Sequence, residues 1–254
     1  MKKIIIPLFV AFFMVFGGIA FAQDTPKPIP ISSEDAFDAV QTNTDPLTGA
    51  SKNVALVDVR TRAEYFWVGA ACQVDSISTT KGDSIVPDYG KVILSQNGRF
   101  LEYEINGRNK RLQVRKVSAM ALSPIAINIP YKLWDEDTGT LIPNDDFADE
   151  VEALACNGNE GVCYDVLIFF CRSGGRSEAC LDPFDTTLFY NIYEIDQPDG
   201  ESGFGGFEGT SYSNVYNGYR GFPKRLTEIQ EHPSVSWKDT GLPMKTSINP
   251  LSAP

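Results

Sequence analysis

The sequence predicts an α/β chain: a doubly wound, mostly parallel sheet with helices on both faces, interrupted by an inserted antiparallel β-meander. Three observations predict it. Val54-Ala-Leu-Val-Asp-Val59 and Val166-Leu-Ile-Phe-Phe170 are unbroken apolar runs, the pattern of strands covered on both faces. Stretches with apolar residues at helical spacing accompany them, which implies crossover connections and parallel neighbours. Between them lie Asn97-Gly98 and Asn106-Gly107, each flanked by β-prone residues, and Asn-Gly in that setting is a strong hairpin signal.

Residues 1–22 read as a leader. Met1-Lys2-Lys3 is a short basic start, Ile4–Phe16 is almost wholly apolar, and Ala20-Phe21-Ala22 has the small-x-small form of a processing site. Cleavage is expected between Ala22 and Gln23, which predicts a periplasmic or secreted protein with no membrane attachment after cleavage. The alternative is an uncleaved anchor, since Ile4–Ala22 is long enough to span a bilayer; Pro7, Gly17-Gly18 and the Ala-x-Ala end favour removal. Residues 23–31 are then a Pro-rich tether, 32–243 the folded domain, and 244–254 a tail.

Within the domain, Ser32-x-x-Asp35 is a capping box, and Ala36, Phe37, Ala39 and Val40 give the following helix one apolar face. Residues 71–118 form the insert, with strands expected over Lys91–Leu94, Arg99–Ile105 and Lys110–Val117. Asn144 is placed to cap a helix in which Phe147, Val151 and Leu154 recur at i, i+4 and i+7. Asn191-Ile-Tyr-Glu-Ile-Asp196 is a third buried strand. Residues 198–222, rich in Gly, Tyr, Phe, Ser and Asn, read as an aromatic-pinned surface loop beside the active site.

Composition narrows the function. Lys+Arg is 22 against 33 Asp+Glu, a formal net charge of −11, so nucleic acid and anionic membrane surfaces are poor partners. The chain has one histidine, His232, which removes His-rich metal sites and argues against Ser-His-Asp hydrolysis. No metal or cofactor is expected. The five cysteines are an odd number, so at least one is free unless it bonds another chain. Cys156 and Cys163, separated by a flexible six-residue loop, are read as a structural disulfide. Cys72 and Cys180 are candidates for a second bridge, a pairing the spacing leaves open.

The chemistry concentrates after Val166–Phe170, where Cys171-Arg-Ser-Gly-Gly-Arg-Ser177 opens a helical stretch. Ligands of open α/β sheets bind at the carboxyl ends of strands. Gly174 and Gly175 let the backbone turn tightly enough for successive N–H groups to face inward as an anion-binding nest. A following helix N-terminus, Arg172 and Arg176 add positive charge, and each favours thiolate over thiol at Cys171. The candidate site is therefore Cys171 as nucleophile, with Arg172, Ser173, Gly174, Gly175, Arg176 and Ser177 as the surrounding cup.

Cys171–Ser177 resembles the active-site loop of the rhodanese (thiosulfate sulfurtransferase) family. Val57-Asp58-Val59-Arg60 with Glu64-Tyr65 is similar to the family's Asp-Val-Arg…Glu-Tyr segment. Asn128-Ile129-Pro130 and Trp237-Lys-Asp-Thr-Gly-Leu-Pro243 resemble two further family signatures, in family order. The resemblance covers roughly Ser32–Pro243 apart from the inserts, and implies a rhodanese-like sheet. It also implies that Cys171 takes the outer sulfur of a small sulfur-containing anion such as thiosulfate and holds it as a persulfide. A thiol, cyanide or a protein acceptor would then remove it. By the same resemblance Arg172 and Arg176 orient the donor, and Asp58 and Arg60 brace the loop through ion pairs.

The chain departs from the family pattern at Gly69-Ala70-Ala71, where a Gly-His-Ile is usual. The family's late Gly-Gly is matched only by Gly205-Gly206, and Pro183 interrupts the helix after the loop, with Asp182 placed to cap a new one. Two other readings stay open: a non-turnover sulfur carrier or sensing module, and a cysteine phosphatase or arsenate reductase. The latter use Cys-x5-Arg, whereas Arg176 arrives one position early and Ser177 is the seventh residue. A second cysteine to resolve a persulfide is hard to place. Cys163 lies about 23 Å away along the strand, and Cys180 about 13 Å along a straight helix. Cys72 alone is expected at the matching end of the sheet.

Overall fold

The computed structural model describes residues 27–95, 97–155, 162–172, 174–195, 237 and 240–245. Its first half runs β1 (Ile29–Ile31), α1 (Ser33–Thr42), β2 (Val54–Asp58), α2 (Arg62–Val68), β3 (Ala70–Thr79), β4 (Ser84–Ile85), β5 (Val92–Leu94), β6 (Phe100–Ile105) and β7 (Arg108–Gln113). It continues through β8 (Val117–Pro124), β9 (Ala126–Asn128), β10 (Lys132–Asp135), β11 (Thr140–Pro143), α3 (Phe147–Glu152), β12 (Val166–Phe170), α4 (Gly175–Ala179), β13 (Asn191–Ile195) and β14 (Met244–Lys245).

The α/β expectation holds. Five parallel strands form the central sheet in the order β1-β13-β12-β2-β9. Every residue of β2 and β12 is buried, because both faces are covered. Leu56, Ile168 and Phe170 pack with Phe37 and Ala39 of α1 on one face. Val57, Leu167 and Phe169 pack with Phe147 and Val151 of α3 on the other. Ser32 caps α1, its hydroxyl accepting from the Asp35 N–H, and Asn43 ends the helix in the left-handed region at φ 49°.

The meander β5-β6-β7 is antiparallel as expected. Asn106 (φ 52°) and Gly107 (φ 67°) make a two-residue turn between the paired Ile105 and Arg108, the positive dihedrals that Asn-Gly supplies. Asn97-Gly98 lies instead in a longer connection between the paired Leu94 and Leu101. The insert also reaches further than residue 118: β3 pairs with β8 from Cys72–Pro124 to Thr79–Val117. A separate antiparallel hairpin, β10–β11, follows β9.

Four sequence expectations are corrected. The tether 23–31 ends in a strand: Ile29–Ile31 pairs in parallel with Tyr193–Ile195, and Pro30 is tolerated because β1 is an edge. The tail 244–254 begins with β14, paired antiparallel with Ala70 and Ala71 of β3. Asn144 does not cap α3; that position is Asp146, without a side-chain cap, while the Asn144 amide donates to the Pro130 carbonyl. After the cysteine loop, Asp185 rather than Asp182 caps the next turn, accepting from the Thr187 N–H. The leader, Gly205-Gly206 and the loop 198–222 lie outside the described residues. Among the described residues no helix is long and apolar enough to cross a membrane.

Candidate active site

Strand β12 delivers Cys171 to the carboxyl end of the sheet, and the chain then turns back over it. Cys171 is 2% exposed and packs in the cluster formed by Val59, Phe169, Leu181 and Phe184. Its sulfur is the focus of the loop. The Gly174 N–H donates to Cys171 Sγ at 3.2 Å and the Arg176 N–H at 3.4 Å. Ser177 Oγ lies 3.8 Å from the sulfur but sits 2.6 Å from the Gly174 carbonyl, which takes its one proton. Among the described residues, two backbone amides therefore serve the sulfur. Gly174 makes this possible by adopting φ 101°, which an L side chain rarely accepts. Gly175 opens α4, and Arg172 is exposed. Ser173 lies outside the described residues.

The helix after the loop is only five residues, Gly175–Ala179, so the expected helix-end charge gives way to the individual amides. Arg176 differs from expectation more sharply. Its guanidinium grips Glu64, Nη1 to Oε2 and Nη2 to Oε1, both at 2.7 Å. Held by a carboxylate, it braces the loop, and its side chain also interacts with the Cys171 sulfur. Burial pushes the Glu64 carboxyl up, but the hydrogen bonds and charge of Arg176, with those from Thr61, hold it at about 2.

Glu64 is the functional candidate that sequence reasoning left out of the site. The signal was present: Thr61-x-x-Glu64 is a capping box at the start of α2, with Thr61 Oγ1 accepting from the Glu64 N–H and Glu64 Oε2 accepting from the Thr61 N–H. The helix start thus fixes the carboxylate that fixes Arg176.

Asp58 and Arg60 pair with each other. Arg60 Nη2 lies 2.6 Å from Asp58 Oδ2, and the two side chains are 1% and 0% exposed. Arg60 Nη2 also donates to the Gly69 carbonyl at 2.6 Å, tying the turn after β2 to the end of α2. The Arg60 guanidinium lies 5.6 Å from the centre of the Phe170 ring, and the Val59 N–H donates to the Phe170 carbonyl. Asn128 locks the same turn, its amide donating to the Asp58 and Arg60 carbonyls at 2.9 and 3.0 Å. Trp237 is fully buried, stacked 6.5 Å from the Phe170 ring, and donates to the Pro243 carbonyl.

Cys163 is disulfide-bonded, while Cys156 lies outside the described residues. Cys72, Cys171 and Cys180 are free, so the candidate Cys72–Cys180 bridge does not form. Cys72 is also unsuited to resolve a persulfide: it is fully buried in β3, facing the Ala70 carbonyl, and burial pushes its thiol up to about 12. Cys180, set aside on a straight-helix distance, instead folds into the same apolar cluster as Cys171 because α4 ends at Ala179. Its Sγ approaches the Ser177 carbonyl at 3.1 Å, and burial raises its thiol well above the ordinary range.

Among the described residues no group of three or more His, Cys, Asp or Glu side chains is arranged to hold a metal ion. No family model matches the chain, and no curated protein matches it.

Proposed function

We propose that the protein is a sulfurtransferase of rhodanese type that carries sulfur on Cys171. The observation that bears this reading is the convergence of the Gly174 and Arg176 amides on Cys171 Sγ. Such donors stabilise negative charge on sulfur where side-chain solvation is missing. In the first step the Cys171 thiolate attacks the outer sulfur of thiosulfate; a Cys171–sulfur bond forms, the donor's sulfur–sulfur bond breaks, and sulfite leaves. In the second, an acceptor nucleophile attacks the terminal persulfide sulfur and the Cys171 thiolate is released. Arg172, exposed and next to Cys171 in the chain, adds positive charge at the loop, where Arg176 is engaged by Glu64.

The loop arginine, Arg176, comes one position early for Cys-x5-Arg, and Ser177 stands in the seventh place, which weighs against the phosphatase reading. The parallel sheet order, with the cysteine strand central between β13 and β2, supports a rhodanese-like arrangement. The disulfide at Cys163 supports an oxidising compartment and hence export to the periplasm or beyond.

The test is thiocyanate formation from thiosulfate and cyanide by the mature chain, with mass spectrometry for one added sulfur atom on Cys171. Wild type is expected to give both and Cys171→Ser neither. An adduct without turnover assigns a carrier; hydrolysis of a phosphate ester without any adduct overturns the proposal.

A further inference from the structure

The β10–β11 hairpin is apolar on both faces and faces solvent. Leu133 lies opposite Ile142 and Trp134 opposite Leu141, and these four are 37, 41, 59 and 44% exposed. The hairpin is a two-stranded sheet with no third strand among the described residues. Isolated hairpins are marginal in water, and a cluster of this kind marks a surface that another molecule covers. Its rim is acidic: Glu136, Asp137, Asp145, Asp146, Asp149 and Glu150 are all exposed, against Lys132 as the one cation between 132 and 152. These carboxylates repel nucleic acid, anionic lipid and the same face of a second copy, and they attract a cation.

The hairpin is rooted beside the cysteine. The Tyr131 N–H donates to the Val59 carbonyl, the Val59 N–H donates to the Phe170 carbonyl, and the Asn144 N–H donates to the Tyr131 carbonyl. Phe170 directly precedes Cys171, so two backbone hydrogen bonds separate the hairpin root from the nucleophile's strand. The four-residue strands extend about 14 Å from that root. Anything seated on them lies within about 14 Å of that root.

We propose that β10–β11 docks the sulfur acceptor, a cationic protein that presents a thiol beside apolar side chains rimmed by Lys or Arg. This rests on the sulfur-transfer reading and adds the chemical class of the acceptor to it. Trp134 and Leu141 supply the apolar contact, and the carboxylates supply orientation and association rate.

Binding and transfer are tested separately. Two synthetic peptides of equal length serve as probes, each with one central cysteine among leucines, flanked by lysines in one and glutamates in the other. With the cysteine alkylated and Cys171→Ser in the full mature chain, the cationic peptide is expected to bind at least about tenfold more tightly than the anionic one, and more weakly as salt rises. Trp134→Ala with Leu141→Ala, and separately Glu136→Lys with Asp145→Lys, are each expected to weaken it about tenfold. With the free thiol and wild-type Cys171, the same variants are expected to raise KM for the peptide while leaving transfer to cyanide unchanged. Equal binding of the two peptides, or indifference to both variant pairs, overturns the docking surface. Selective binding without a sulfur adduct on Cys171 in the wild-type chain keeps the surface and overturns both its acceptor role and the sulfur-transfer reading.

Discussion

Arg176 and Glu64 close a two-armed ion pair, 2.7 Å on each arm, across 112 residues of sequence. The same arginine gives its backbone N–H to Cys171 Sγ. One residue therefore couples the start of α2 to the amide geometry around the sulfur, and the pair is half-buried, where charge-assisted bonds keep more of their strength.

Arg176→Lys retains the charge and loses the fork. The expected result is a loss of about tenfold in kcat/KM with thiosulfate, near the ~1.5 kcal/mol of one charged hydrogen bond. Glu64→Gln is expected to act in the same direction. Iodoacetamide labelling of Cys171 checks the cause: if the brace positions the amides, labelling rate changes in parallel with turnover.

The acid limb of stability carries a signature of the same pair. Glu64 holds its carboxyl at about 2 against an ordinary 4.5. A carboxyl depressed on folding stabilises the native state above its unfolded value and loses that contribution as pH falls through the folded value. Asp45, held at about 2 against burial by hydrogen bonds from Asn191, Thr48 and Tyr193, acts in the same window. The thermal midpoint is expected to fall between about pH 4.5 and pH 2. Glu64→Gln is expected to flatten part of that decline, and Asp45→Asn another part, in calorimetry across this range.

The two loop glycines are expected to respond differently. Gly174 sits at φ 101°, so Gly174→Ala forces the loop out of shape at a cost of about 1–3 kcal/mol and abolishes most turnover. Gly175 has open space where a Cβ would stand, so Gly175→Ala is expected to keep the fold and gain up to about 1 kcal/mol in urea unfolding.

Removing one member of the buried Asp58–Arg60 pair leaves the other charge stranded. Asp58→Ala or Arg60→Ala is expected to cost about 3–5 kcal/mol in urea unfolding, and the two changes together less than the sum of the single changes. Full additivity in that cycle would show that the two side chains act independently.

Legibility followed sequence distance. Val54–Asp58 and Val166–Phe170 were readable because strands covered on both faces need apolar residues at every position. Asn106-Gly107 was readable because few residues accept two successive positive dihedrals. The cysteine loop was readable as a cysteine ahead of a tight glycine turn, since each part is local. What remained hidden was made by partners far apart. Ile29-Pro30-Ile31 becomes a strand only beside Tyr193–Ile195. Cys72 and its neighbours in β3 carry no strict alternation, and their strand is defined by β8. Leu133 and Trp134 pair with Ile142 and Leu141 across a turn that holds no Asn-Gly. The Arg176–Glu64 pair was hidden because nothing in the loop itself announces Glu64.

The pairing of Ile29–Ile31 with Tyr193–Ile195 has a consequence for assembly. A chain leaving the ribosome carries its first edge ready-made but idle, because the template for it is synthesised far later. Bringing the two together is a long-range closure whose entropic cost precedes its reward. Until then, or permanently in a chain clipped after Ile31, the main-chain groups of Tyr193–Ile195 stand open to any passing strand. Ile29–Ile31 thus cover an edge that would otherwise invite self-association, and a truncation that trims them as overhang is expected to aggregate.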